Sequence, residues 1–163
     1  MRNVFRAILL VIAIAGCTSH KASDANSTTG TTGTSSGPGG NQTESVQTHG
    51  GSMSMGKNAV NPATMGLPIY PGATANVNGA LSGTSAQGSS QLISLQTSDP
   101  FDKVFAWYKS RMPENPQNAR SASGKISIGE FFEGTSSDRQ WKSVTLTSLP
   151  AGTTITLRSM MRN

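Results

Sequence analysis

The chain predicts an α+β fold: one amphipathic helix packed on one face of an antiparallel sheet of about four to five strands, preceded by a disordered tether. Three observations carry this. Phe101, Val104, Phe105, Tyr108 and Met112 recur at helical spacing. The segments around Ile93, Val144 and Ile155 alternate apolar and polar residues, the period of a half-buried strand. Residues 18–57 are mostly Ser, Thr, Gly and Asn, too polar to offset the entropy of ordering them. The expected organisation is a targeting segment at 1–16, a tether at 17–60 and one small domain at 61–163.

The first segment is read from its charges and length. Arg2 and Arg6 are the only charges before Cys17, and every residue from Ala7 to Ala15 is apolar. A basic start, a short apolar core and small residues at the end describe a secretory signal peptide. The apolar run is about half of the roughly 20 residues a membrane-spanning helix needs. Ile14-Ala15-Gly16-Cys17 resembles the lipobox of bacterial lipoproteins. The resemblance implies that the Cys17 thiol receives a diacylglyceryl group, that cleavage falls just before it, and that the new amino group is acylated. Palmitate-type chains then hold the chain on a membrane. One myristoyl chain binds only marginally, whereas two or three make attachment effectively permanent. Thr18, where an Asp would favour retention, implies the periplasmic face of the outer membrane in a two-membrane cell. The sequence has one cysteine. With it lipidated, no thiol is left for a disulfide or for thiol redox chemistry.

The tether scales as a Gly/Ser-rich coil, giving a reach of roughly 35 Å. Its "TTGTTGT" is low complexity rather than architecture. The net charge of the whole chain is +5. From Leu67 onward nine Lys/Arg face six Asp/Glu, a mild +3 with no basic block. Charge that weak, with few aromatics, argues against a nucleic-acid partner.

Within the domain, Pro71-Gly72 marks a type II turn, and Tyr70 before it is expected at the domain edge. Ala75–Ala80 reads as a short strand, Ser82–Ser90 as a loose loop, and Gln91–Thr97 as a strand with Ile93 and Leu95 on one face. The helix follows, with Asp99 as N-cap, Pro100 at its first position and Pro113 as its stop. Trp107 falls at the margin of the apolar stripe. Ile126 and Ile128 read as core-facing, with a bulge at Gly129 re-phasing Phe131 and Phe132. Val144 with Leu146, then Ile155 with Leu157, give a final hairpin turning at Pro150-Ala151-Gly152.

"LPIYPGA" and "SDPFDKVFAWYKSRMP" together resemble an uncharacterised group of bacterial secreted and lipid-anchored proteins. That group shares a Y-P-G-A opening and a helix reading D-x-x-x-V-x-x-W/F-Y-K. The matching positions are Tyr70, Pro71, Gly72, Ala73, then Asp99 or Asp102, Val104, Trp107, Tyr108 and Lys109. The resemblance covers about half of the domain and implies no catalytic residues.

Residues 61–163 contain neither His nor Cys. This excludes Ser-His-Asp and Cys-His catalysis and the usual zinc sets within the domain. Glu130 and Glu133 are the nearest approach to a paired-carboxylate site, but three residues apart on a strand they fall on opposite faces. No cofactor is expected. His49, Met53 and Met55 carry groups that suit Cu(I), with Met65 as a possible third thioether, but a flexible segment makes such a site costly to order. The expected role is therefore a non-catalytic, lipid-anchored cell-envelope protein, a tethered interaction or scaffolding module. Its partners would be the membrane, through Cys17, and an envelope protein or peptidoglycan, met through Trp107, Trp141 and Tyr70. The alternatives are a cell-wall glycan binding or hydrolysing protein and a copper-binding tether.

Overall fold

The computed structural model describes residues 31–36 and 42–163. Cys17, and with it the lipobox, lies outside the described residues. The described chain forms β1 (Thr31–Ser36), β2 (Gln42–Thr48), β3 (Gly51–Gly56), a single 3-10 turn (Pro62–Met65), β4 (Thr74–Ser85) and β5 (Gly88–Thr97). Then come the helix α1 (Phe101–Lys109), β6 (Ala119–Ser123), β7 (Ile126–Glu133), β8 (Gln140–Leu149) and β9 (Gly152–Arg162).

The strands make one nine-stranded sheet in the order β1-β2-β3-β4-β5-β9-β8-β7-β6. Every neighbouring pair is antiparallel. Two meanders, β1–β5 and β6–β9, meet edge to edge where β5 pairs β9. The segment containing α1 carries the chain from the middle of the sheet to its far edge.

This overturns the expected fold. The molecule is mostly sheet, with one short helix, not an α+β layer of four to five strands. The extra strands come from segments with little apolar alternation. Residues 42–56, expected as tether, form β2 and β3. The Ser82–Ser90 stretch is the end of β4, the Ala86-Gln87 turn and the start of β5, with Ser85 paired to Gly88. The edge strand β6, Ala-Arg-Ser-Ala-Ser, is exposed along its whole length.

The core lies on one face only. Ala80, Ile93, Leu157, Val144 and Phe131 stand opposite one another across five strands, and all are buried. The next row is Leu95, Ile155, Leu146 and Gly129. On this face sit α1, through Phe101, Val104 and Tyr108, and the 57–70 segment, through Val60, Met65, Leu67 and Tyr70. The other face of the sheet is open.

Three local expectations are corrected. First, Asp99 is not the N-cap. Pro100 holds that position without a side-chain hydrogen bond, because the Asp99 carboxylate is engaged elsewhere. Second, β7 has no bulge: its register with β8 runs unbroken from Ile128 to Glu133. Gly129 instead makes room for the helix, since a Cβ there would come within 2.6 Å of Phe105 Cδ2. The register shift is in β4, between Ala75 and Ala80. Third, Ile126 and Ile128 are exposed. The core-facing residues of β7 are Gly129 and Phe131, the opposite phase.

The Pro71-Gly72 turn forms as expected. Gly72 has φ 76°, and Ala73 N donates to Tyr70 O at 3.1 Å. The helix stripe from Phe101 to Tyr108, β5 and the β8–β9 hairpin also stand as expected; the helix ends at Lys109 rather than at Pro113, and Met112 packs on the core from beyond it.

Candidate interaction surface

The Tyr70 and Trp107 rings turn inward. Tyr70 is 4% exposed. Its Oη donates to Asp99 Oδ2 at 2.6 Å, and Lys103 Nζ donates to Asp99 Oδ1 at 2.9 Å. The Trp107 ring meets Tyr70 edge-on at 5.2 Å and Tyr108 at 4.8 Å, and the Arg111 guanidinium lies 4.2 Å over it. Tyr108, fully buried, donates through Oη to Pro68 O. Burial, with the Asp99 carboxylate beside it, pushes the Tyr70 hydroxyl up to about 12. The same hydrogen bond, and then that from Lys103, hold Asp99 below its ordinary range. Burial raises the Tyr108 hydroxyl further. This cluster joins the 67–72 segment to the start of the helix. Tyr70 is thus a core residue rather than part of a binding surface, and Trp107 is its half-buried cover.

At the other end of α1 a groove of about 600 Å³ runs between the helix and β6, lined by Phe105, Lys109, Met112, Asn118, Arg120 and Phe131 among others. Its polar groups are largely committed. Arg120 Nη2 donates to Asp102 Oδ1 at 2.6 Å and the guanidinium covers the Phe101 and Phe105 rings. Asn118 donates to Pro113 O and accepts from Phe132 N. Asn115 donates to Gly134 O and accepts from Gln117 N. The asparagines staple the 113–118 loop. They do not converge on a ligand.

The open sheet face is different. The strand register places Gly83, Ser90, Met160 and Trp141 in one row and Leu81, Leu92, Arg158, Ser143 and Phe132 in the next. Beyond them lie the rows Ser94, Thr156, Thr145, Glu130 and then Gln96, Thr154, Thr147, Ile128. Leu92, Trp141, Met160 and Phe132 are half-buried by one another's company along the sheet. Trp141 Nε1 is buried with no hydrogen-bond partner among the described residues. Arg158 and Ser143 stand between Leu92 and Phe132, with Met160 and Trp141 alongside; because large exposed apolar areas mark contact sites, this face is the candidate. Trp141, named from the sequence as a candidate contact residue, lies on this open face; the residues around it were not named. Their signal was present in the alternate phase of each strand, where Leu92, Phe132 and Met160 fall between the core positions.

Glu130 is on this open face. Glu133 is on the helix side, where it accepts from Lys142 Nζ at 3.0 Å, and Lys142 also reaches Gly66 O. The two carboxylates therefore do not flank a common bond. Met53 and Met55 are two residues apart on β3, both half exposed, and His49 lies in the β2–β3 turn. Met65, the third thioether considered, is 2% exposed in the core and cannot join them. Among the described residues no group of three His, Cys, Asp or Glu side chains is placed to hold a metal, and no helix is long and apolar enough to cross a membrane.

The fold and surface define a class: an antiparallel sheet with one face sealed by a helix and the other presented to the outside. Compared with known proteins, the chain matches no family model, no curated protein and no solved structure.

Proposed function

We propose that this chain is a lipid-anchored cell-envelope protein whose folded part is a non-catalytic interaction module. The observation that carries the anchor is Ile14-Ala15-Gly16-Cys17 directly behind a basic start and a nine-residue apolar run. Acyl chains on Cys17 hold the chain on a membrane, the outer membrane where the cell has two. The module reading draws on the sheet. One face is spent on the core, and the other displays Trp141, Met160, Leu92 and Phe132 around a few polar side chains. The titratable groups that do cluster, Tyr70 with Asp99 and Lys103, are engaged with one another in a structural tie.

Growth of expressing cells with labelled palmitate tests the anchor. Label is incorporated into the wild type and not into Cys17→Ser. Equal labelling of both would overturn the reading.

A further inference from the structure

We propose that the open sheet face is the contact surface for a second copy of this chain, two sheets stacking face to face about a two-fold axis. This deepens the interaction-module reading by naming the partner, and it holds with or without the acyl anchor.

Lys103 and Lys109 are on the helix, Lys142 points to the helix side of the sheet, and Lys57 and Lys125 are in turns. Over the five strands β4, β5, β9, β8 and β7, the open face carries Glu130, Arg158 and, at its far end, Arg162. Neither Glu130 nor Arg158 is in an ion pair among the described residues. They lie two strands and two residues apart, roughly 12 Å between Cα atoms from strand spacing and rise. A two-fold axis between stacked sheets, perpendicular to the line joining them, sets Glu130 of each chain against Arg158 of the other. One operation pairs both charges and places no like charges together. A two-fold interface must be self-complementary in this way.

Size and composition agree. Five strands of about ten residues present a face of roughly 24 Å by 33 Å; the two-fold axis crosses the strands of the two copies at about 70°, so the copies overlap on the part of it around Arg158, Trp141 and Phe132, at the small end of the standard interface range. Around the two charges stand Trp141, Met160, Leu92, Phe132 and Ile128, with Thr145, Thr147, Thr154 and Thr156 between. The centre carries two aromatics, one Met and Arg158 and no lysine; interface cores are enriched in aromatics, Met and Arg and depleted in Lys.

The test uses the protein with Cys17→Ser, which carries no acyl group that could hold copies together. Sedimentation velocity over a concentration series should show a monomer–dimer equilibrium. Arg158→Glu and Glu130→Arg should each weaken it by about tenfold or more, through like-charge contacts at both pairs. The double exchange Glu130→Arg with Arg158→Glu should restore it to within a few fold, with circular dichroism unchanged throughout. A wild type that stays monomeric at hundreds of micromolar assigns the face to another occupant and overturns the proposal. So does a double exchange that dimerises no better than the single variants.

Discussion

Tyr70 Oη donates a 2.6 Å hydrogen bond to Asp99 Oδ2, across 29 residues of sequence. The bond ties the segment before the Pro71-Gly72 turn to the residue that precedes the helix. Asp99 is held from the other side by Lys103, one helical turn on. The carboxylate that sequence reasoning assigned to capping the helix is used to fix where the helix begins relative to the sheet.

This pair makes stability depend on pH at both extremes. Tyr70 titrates near 10 in the unfolded chain and at about 12 when folded. Its contribution is fully present below pH 10 and is lost as pH rises from 10 through 12. Asp99 has a folded pKa below its ordinary 3.8. Its contribution is present above that value and is lost as pH falls through the lowered one. Urea titrations at pH 9 and pH 11 should show a fall in midpoint for the wild type and a smaller fall for Tyr70→Phe. The residual belongs to Tyr108, whose hydroxyl is also raised. An equal fall in both proteins would contradict the account.

Gly129 is the point of closest approach between helix and sheet. Gly129→Ala drives a methyl to within 2.6 Å of the Phe105 ring and should destabilise by about 1–3 kcal/mol, the range for overpacking. Phe105→Leu in the same chain should recover part of that loss. Chemical denaturation of the two singles and the double closes the cycle. Additive effects would show that the ring and the glycine do not meet as described.

Leu157 is fully buried between Ile93 and Val144. Leu157→Ala should cost about 2–5 kcal/mol. Leu92→Ala, next to it on the sheet but on the open face, should cost well under half as much in the monomer. The contrast, read from melting curves at low protein concentration, tests which face holds the core.

The strands β2 and β3 add hydrogen bonds to the sheet but little to the core, whose described members run from Val60 onward. Backbone amides of β2 and β3 should therefore exchange with deuterium well before those of β5, β8 and β9. A chain beginning at Lys57 should retain a cooperative melt. Uniform protection across all nine strands would show instead that the N-terminal strands belong to one cooperative unit with the rest.

What was legible in the sequence is what burial writes there. The stripe from Phe101 to Met112, the alternation at Ile93 and Leu95, and the Val144–Leu157 hairpin all repeat because one side meets the core. The strands β2, β3 and β6 contribute no member to the core among the residues whose burial is described. Their Ser, Thr and Gly residues are the same ones that fill loops, and only pairing with a neighbour distinguishes them. On β7 the alternation pointed the wrong way: Ile126 and Ile128 are the large apolar residues, yet the core side is Gly129 and Phe131, because Phe105 descends from the helix into the space above the glycine. The site divides similarly. Trp141 was named from the sequence only as a candidate contact residue, and the structure places it on the open face. Tyr70 was read as surface because its polar partner, Asp99, is distant in sequence.

The central claim is that Cys17 carries the chain to a membrane, where its open sheet makes the contacts. Flotation of cell membranes on a density gradient tests it most directly. The wild type should float with lipid, resist extraction by high salt and alkaline carbonate, and begin at Cys17 when the mature N-terminus is read by mass. A protein that is released by carbonate, or that begins elsewhere with an unmodified Cys17, would contradict the account.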